Sequence, residues 1–218
     1  MRPGIRSVYT LMFLRRAEKG IQSMAREDNL YELPEGLPIP VDDGASDHLP
    51  GTRLPSVPLR STAGNVVDLA SLTGRTVVYC YPRMGRPDEE MPQDWDEIPG
   101  ARGCTPQSCA FRDHHAELRS LGARVFGLST QGTEYQREAA QRLRLPFELL
   151  SDEELAFAKA LGLPVFEAEG ITLLKRLTLV VNDGRIEKAF YPVFPPNENA
   201  KEVIEWLSEN PLEAVRTP

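Results

Sequence analysis

The sequence is poor in the residues that build disulfide frameworks and metal sites. Its 218 residues include three cysteines and three histidines, with no CxxC and no HExxH motif. An odd number of cysteines leaves at least one thiol unpaired, and a structural zinc site needs four closely spaced ligands. We therefore expect neither a disulfide framework nor a bound metal, so any role of the cysteines is a role as thiols.

The chain also lacks long apolar runs and an excess of positive charge. No stretch approaches the roughly 18 apolar residues of a membrane-spanning helix. The net charge of −7 argues against nucleic acid or an anionic membrane as a partner. A content of 41% hydrophobic and 26% charged residues is typical of globular proteins. We expect one main domain in a reducing compartment, the cytoplasm.

Two segments of opposite charge precede the globular region. Residues 1–23 carry an excess of basic side chains, and three interpretations stay open: an extension upstream of a start at Met24, a targeting peptide, or a local helix. Residues 24–50 are rich in acids and proline, a composition typical of an extended, loosely held arm. We therefore divide the chain into an N-terminal extension over 1–50, expected to be partly disordered, and a domain over 51–218.

Strands and helices alternate through this domain. Residues 76–81 are rich in β-branched and aromatic side chains, and they are apolar at alternate positions of both sets, so both faces of a strand would be apolar. This predicts a central strand that is covered on both faces and ended by Pro82. Further strands are predicted at 124–129, 147–150, 176–181 and 185–191, and helices at 105–121, 132–143, 152–161 and 197–208. Asp183-Gly184 predicts a hairpin between the last two strands. The pattern indicates an α/β fold with a mixed central sheet flanked by helices.

Cys104 and Cys109 lie at the start of the first predicted helix. Proline is tolerated only in a first helical turn, so the helix begins at or just before Pro106, with Thr105 as the expected capping residue. Cys104 then lies among unpaired N–H groups at the positive end of the helix dipole, which favours a thiolate. Since the thiolate is the nucleophilic form, this position favours chemistry at sulfur.

The five-residue spacing of these cysteines restricts their pairing. In an intact helix their Cα atoms are about 8.6 Å apart, beyond the limit of about 7 Å for a disulfide. A Cys104–Cys109 disulfide therefore requires the first turn to unwind, which suits a redox switch. Two unrelated thiols are the open alternative. Cys80, in the central strand, is expected to be a buried core thiol.

An ordered series of short motifs runs through residues 52–208. Tyrosine-proline ends a strand at 81–82, and Gly-Cys-Thr-x-x-x-Cys-x-Phe-Arg-Asp follows at 103–113; further matches lie at 125–130, 145–152 and 175–186. This series resembles the peroxiredoxins of the Q type, also called bacterioferritin comigratory proteins. The resemblance implies a thioredoxin-like fold and reduction of hydrogen peroxide or organic hydroperoxides without a metal or organic cofactor.

The resemblance also implies roles by position. Cys104 is the peroxidatic cysteine, Cys109 the resolving cysteine, and Arg176 the guanidinium that favours the thiolate and the charge developing on peroxide oxygen. Residues assigned to the substrate pocket are Pro82, Gly103, Thr105 and Gln107. Cys104 becomes a sulfenic acid, Cys109 condenses with it to a disulfide, and a thioredoxin-type reductant restores both thiols. We expect a monomer or a homodimer.

The segment before Cys104 departs from the family pattern. Members have a short connection there, with a proline seven residues and a threonine or serine three residues before the peroxidatic cysteine. Here 21 residues separate Pro82 from Cys104, and those two positions hold Glu97 and Ala101. The hydroxyl that orients peroxide is therefore missing from its place, and Thr105 is the nearest hydroxyl in sequence.

The extra residues form an acidic insert at about 83–99. We expect a solvated surface loop; a lid or a partner-docking loop anchored by Trp95 is the alternative. The missing hydroxyl and the insert also fit a second class of function, a redox-responsive thioredoxin-fold binding module with weak or no peroxidase turnover. A thiol–disulfide oxidoreductase acting on proteins is a third possibility, which the lack of a CxxC motif disfavours.

Overall fold

The computed structural model describes residues 29–212, so the interpretations of residues 1–23 and of Met24 lie outside the described residues. The strands are β1 Pro58–Ser61, β2 Val66–Asp68, β3 Arg75–Cys80, β4 Ala123–Ser129, β5 Glu148–Ser151, β6 Val165–Ala168, β7 Ile171–Leu174, β8 Leu177–Asn182 and β9 Arg185–Phe190. The α-helices are α1 Cys104–Asp113, α2 His115–Ser120, α3 Thr133–Leu143, α4 Ala156–Leu161 and α5 Asn199–Glu209. Within the described range, no helix is long and apolar enough to cross a membrane.

Seven strands form one mixed sheet in the order β2-β1-β5-β4-β3-β8-β9. Strand β3 is parallel to β4 and antiparallel to β8, and all its residues are buried. Its alternate side chains enter two cores: Val78 and Cys80 pack on the α4 side, whereas Val77 and Tyr79 pack on the side of α1, α3 and α5. The predicted central strand and the mixed α/β class are confirmed.

The first helix differs from its prediction at both ends. A break at His114 (φ −95°, ψ 7°) divides the predicted helix into α1 and α2. Thr105 is not the capping residue, and that prediction is wrong: Gly103 precedes the helix, which begins at Cys104. The reason is the left-handed backbone of Gly103, which turns the chain into the helix two residues before the position expected for a Thr105 cap. Pro106 still lies in the first turn, where its missing N–H costs no helical hydrogen bond.

A small hairpin, β6–β7, was not predicted. Its turn is Glu169-Gly170, with positive φ at both residues (50° and 75°), and its strands form a separate two-stranded sheet. Glutamate is not among the residues that usually mark such a turn, so the sequence carries little signal for it. Leu173, on β7, packs with Trp95 of the insert in a third apolar cluster.

Helix α4 is shorter than predicted because Asp152 caps it from a distance. The helix begins at Ala156, and the Asp152 carboxylate accepts the N–H groups of Phe157 (2.9 Å) and Ala158 (2.8 Å). These bonds satisfy amide donors that have no partner inside the helix. Residues 152–155 therefore form a turn that holds the Asp152 carboxylate at the start of the helix.

Residues 29–50 contain turns but no strand or helix, and several of them contact the domain. Leu49 is fully buried in the α4-side core. The Asp43 carboxylate forms an ion pair with Lys175 (2.6 Å) and accepts a hydrogen bond from the Tyr191 hydroxyl (2.8 Å). These bonds, that from Lys175 first, lower the pKa of Asp43 from 3.8 to about 2. The charged Asp43 carboxylate thus attaches this segment to the domain.

Candidate active site

Sheet topology brings Arg176 to Cys104. Strand β8 is antiparallel to β3, with Leu177 opposite Cys80, so the start of β8 lies at the end of β3 where the chain turns toward α1. The Arg176 Nη2 donates to the Cys104 sulfur at 3.2 Å. Both residues are 3% exposed. The predicted neighbourhood of a guanidinium and a helix-start thiol is therefore present as a direct contact.

The guanidinium of Arg176 is held by several acceptors at once. Besides Cys104, it donates to Gly100 O (3.2 Å), Ala101 O (3.0 Å), Arg102 O (3.1 Å) and Gln107 Oε1. None of these acceptors is a carboxylate, so the buried positive charge meets carbonyl dipoles and the sulfur of Cys104. A buried charge is costly without a counter-ion. A Cys104 thiolate would supply that counter-ion.

Ala101 contributes its backbone where the family pattern has a hydroxyl side chain. Its carbonyl accepts from Arg176 and lies 3.7 Å from the Cys104 sulfur, while its methyl group packs against the Trp95 cluster. Thr105, the nearest hydroxyl in sequence, is buried and lines the cavity beside Cys104. The structure therefore brings one hydroxyl-bearing residue to the site from the helix side.

A buried polar chain behind Arg176 includes two residues that the sequence analysis missed. Gln107 Nε2 donates to Asn199 Oδ1 (3.0 Å), which also accepts from the Thr178 hydroxyl (2.7 Å). All three side chains are fully buried. Asn199 opens α5, where an asparagine is an ordinary residue, so no local signal singles it out. These bonds orient the Gln107 amide, whose oxygen faces Arg176.

Two of the predicted pocket residues act through the backbone. Gly103 has φ +104°, and an added Cβ would lie 2.4 Å from Pro196 Cγ and 2.7 Å from Leu33 Cδ2, so only glycine fits. Pro82 is buried at the end of β3, where its carbonyl accepts from the Ser129 hydroxyl (3.0 Å). It is not among the described residues that line the cavity beside Cys104.

Cys109 lies on the same continuous helix as Cys104 and is half-buried. Burial raises the pKa of its thiol above the ordinary 9.0, with Arg112 opposing the effect. Cys109 therefore stays protonated near neutral pH while it lies in the intact helix. All three cysteines are free. Cys80 is fully buried, and burial raises its pKa, so the prediction of a core thiol is confirmed.

The acidic insert divides into exposed charges and a buried anchor. Five of its six acids are exposed, as in the predicted solvated loop, and the sixth is half-buried; the six are Asp88, Glu89, Glu90, Asp94, Asp96 and Glu97. Trp95 is buried instead, packed against the β6–β7 hairpin. Across residues 29–212, no group of three or more His, Cys, Asp or Glu side chains is placed to hold a metal ion.

Comparison with known proteins places this chain in a family. The Redoxin family model matches residues 49–204. Peroxiredoxin Q of Oryza sativa subsp. japonica, a chloroplastic protein, is 34% identical over 159 residues, which are 72% of this chain and 65% of the rice protein. Peroxiredoxin Bcp of Escherichia coli is 30% identical over 165 residues, or 73% of this chain and 96% of that protein. The chain belongs to the peroxiredoxin Q family.

A solved structure agrees with this assignment at the level of the fold. The bacterioferritin comigratory protein of Xanthomonas campestris superposes with a TM-score of 0.57 at 21% identity, covering 72% of this chain and 96% of the other. The mixed sheet with flanking helices is thus the thioredoxin-like fold of the peroxiredoxins, as predicted. The chain covers slightly less than two thirds of the rice peroxiredoxin Q that it matches.

Proposed function

We propose that the chain is a thiol peroxidase that reduces hydrogen peroxide or organic hydroperoxides through Cys104. One observation carries the proposal: the buried Arg176 guanidinium donates to the Cys104 sulfur at 3.2 Å, and within residues 29–212 none of its hydrogen-bond acceptors is a carboxylate. A structural arginine is normally neutralised by an acid. Here the Cys104 sulfur takes the place of that acid, and the guanidinium charge would stabilise its thiolate form. The peroxiredoxin Q relatives support the same activity.

The first chemical step is attack of the Cys104 thiolate on one oxygen of the hydroperoxide. The S–O bond forms as the O–O bond breaks, and the leaving oxygen takes a proton to become water or an alcohol. Arg176 and the N–H groups at the start of α1 face the charge that develops on the peroxide. The sulfur is oxidised to a sulfenic acid and the peroxide is reduced.

The second step is condensation of the Cys109 thiol with the sulfenic acid. The new S–S bond releases water, and a thioredoxin-type dithiol then reduces the disulfide by exchange. Both cysteines lie on one intact helix, about 8.6 Å apart at Cα, so the first turn of α1 must unwind for the bond to form. We propose the cytoplasm as the location and a monomer or homodimer as the functional unit.

The test is peroxide consumption with a thioredoxin recycling system. We expect turnover by wild type, none by Cys104→Ser, and a stable sulfenic acid in Cys109→Ser after stoichiometric peroxide, trapped by dimedone and located by mass spectrometry. Peroxide consumption by Cys104→Ser at the wild-type rate would refute the proposal. Disulfide formation without turnover would instead support the redox-responsive binding module, which the intact Arg176–Cys104 contact disfavours.

A further inference from the structure

The cavity beside Cys104 is very small. Its volume is about 10 Å³, and the room that a single water molecule requires is about 10–15 Å³. Cys104 itself is 3% exposed. A molecule larger than water therefore reaches the sulfur only if part of the wall moves.

Much of this wall is made by the insert. Arg83, Gly85, Met91 and Trp95 line the cavity from the insert, and Leu30 lines it from the N-terminal segment. The wall on the helix side is the start of α1. The segment by which this chain departs from its family is thus the segment that covers the nucleophile.

A first set of contacts attaches the insert to the β6–β7 hairpin. The Trp95 ring packs 6.2 Å from the Phe166 ring, centroid to centroid, in a cluster with Leu173. The backbone N–H of Gln93 donates to Glu169 Oε1 at 3.1 Å. Because this attachment is mainly apolar and lies directly beside the cavity, loss of the indole would open the wall.

A second set of contacts attaches the insert to α3. The Tyr135 hydroxyl donates to Glu89 Oε2 at 2.8 Å, and the Arg86 guanidinium lies 4.0 Å from the centroid of the Tyr135 ring. Burial, then the hydrogen bond to Glu89, raises the pKa of Tyr135 to about 12, so the hydroxyl keeps its proton. Arg142 Nη2 donates to Gly85 O at 3.0 Å. This second attachment is polar, and it reaches the cavity through two lining residues, Gly85 and Arg83, of which Arg83 pairs with Glu89 at 3.8 Å and lies 5.9 Å from the Tyr135 ring centroid.

We propose that the insert is a size-selecting lid over Cys104, with Trp95 and Met91 as the residues that set the specificity. The inference rests on the proposed peroxidase function and names its substrate class: hydrogen peroxide enters after a small displacement, whereas an alkyl or aryl hydroperoxide requires the lid to detach. One methylene group in a fitted pocket already changes rates by about tenfold or more. A cumyl group, with nine carbon atoms, exceeds the volume of this cavity several-fold.

The experiment measures Cys104 oxidation in a single turnover, so that no reductant is needed. In the Cys109→Ser background, the second-order rates with hydrogen peroxide and cumene hydroperoxide are compared. For wild-type lid residues we expect hydrogen peroxide to react at least about tenfold faster. Trp95→Ala and Met91→Ala should each raise the cumene-to-hydrogen peroxide rate ratio, by about tenfold for Trp95→Ala. Tyr135→Phe, which removes the hydroxyl that bonds Glu89 but replaces no residue that lines the cavity, should raise the ratio less.

The matched control is Trp206→Ala, which removes the other tryptophan, on α5 beside Arg75. It should leave the rate ratio unchanged. Circular dichroism checks that each variant is folded, and Met91→Ala serves as the milder change if Trp95→Ala unfolds. A ratio that stays within about twofold of wild type in the folded lid variants would overturn the proposal.

Alkylation separates failure of the lid from failure of the peroxidase. In the same background, Cys104 is labelled with iodoacetamide and with the bulkier pyrenyl maleimide, and the site is mapped by mass spectrometry. The lid predicts that pyrenyl labelling is slow and that Trp95→Ala accelerates it much more than iodoacetamide labelling. Selective acceleration without any reaction with peroxide would support the lid and refute the proposed function. Equal acceleration of both reagents would refute the lid alone.

Discussion

Replacement of Arg176 tests the central contact of the site. In Arg176→Ala the Cys104 sulfur loses its donor at 3.2 Å. A hydrogen bond to a charged group contributes about 1.5–3 kcal/mol, and loss of one donor to a developing oxyanion costs about 2.7–4 kcal/mol. We therefore expect the rate of Cys104 oxidation by hydrogen peroxide to fall by about 100- to 1,000-fold.

Arg176→Lys keeps the positive charge but removes the planar guanidinium, so it separates the effect of charge on the oxidation rate from the effect of hydrogen-bond geometry. One ammonium group cannot serve the five acceptors that the guanidinium reaches around Gly100–Cys104 and Gln107. We expect a loss smaller than that of Arg176→Ala but still at least about tenfold. Lysine at wild-type rate would show that charge alone suffices.

The assay is stopped-flow mixing with hydrogen peroxide in the Cys109→Ser background, with dimedone trapping as a second readout. Arg60→Ala, which removes an exposed arginine on β1, is the matched control and should not change the rate. Thermal unfolding confirms that Arg176→Ala remains folded, since the change also leaves buried carbonyls without their donor. If folded Arg176→Ala reacts within about threefold of wild type, the reasoning is refuted, because a loss that small is worth under 1 kcal/mol.

Two further predictions concern the supports of the site. Asn199→Leu leaves the buried Gln107 amide without its acceptor, so it should cost about 1–3 kcal/mol of unfolding free energy and slow peroxide reduction. Asn199→Ser, which keeps an uncharged acceptor oxygen on a side chain short enough for the site, should show smaller defects in both; equal defects in the two variants would contradict the role. Asp43→Asn should lower the Tm at pH 7 and progressively less between pH 3.8 and about 2, because a lowered pKa stabilises the fold above the unfolded value and the effect is lost as pH falls through the folded one. A Tm difference from wild type that does not change with pH would refute the second prediction.

Local sequence determined much of this protein. The alternation of apolar runs with helical patterns predicts the mixed sheet, and the double-sided apolar run at 76–81 predicts its central strand, because these signals depend only on period and burial. Pro106 places the start of α1 to within a residue or two, since its missing N–H is tolerated only there. The spacing of Cys104 and Cys109 sets the need for local unwinding, because it follows from helix geometry.

Long-range contacts account for what the sequence analysis missed. Asn199 lies 92 residues from Gln107 in sequence, and nothing near it differs from an ordinary helix start. The β6–β7 hairpin has a weak turn signal, and it becomes important only because Trp95 packs on it. The Thr105 cap was mispredicted because Gly103 takes a positive φ, and the residues whose closeness excludes a side chain there, Pro196 and Leu33, are remote in sequence.

The sequence by itself determined where two of the three thiols lie and how they are spaced. Residue order and helix geometry are local, and they suffice to put Cys104 at a helix start and Cys109 beyond disulfide reach. Only the tertiary structure decided what surrounds Cys104: the antiparallel pairing of β8 with β3 brings Arg176 to the sulfur, and Trp95 draws the acidic insert over it. Charge compensation and closure depend on distances between segments remote in sequence, and no local pattern encodes those distances.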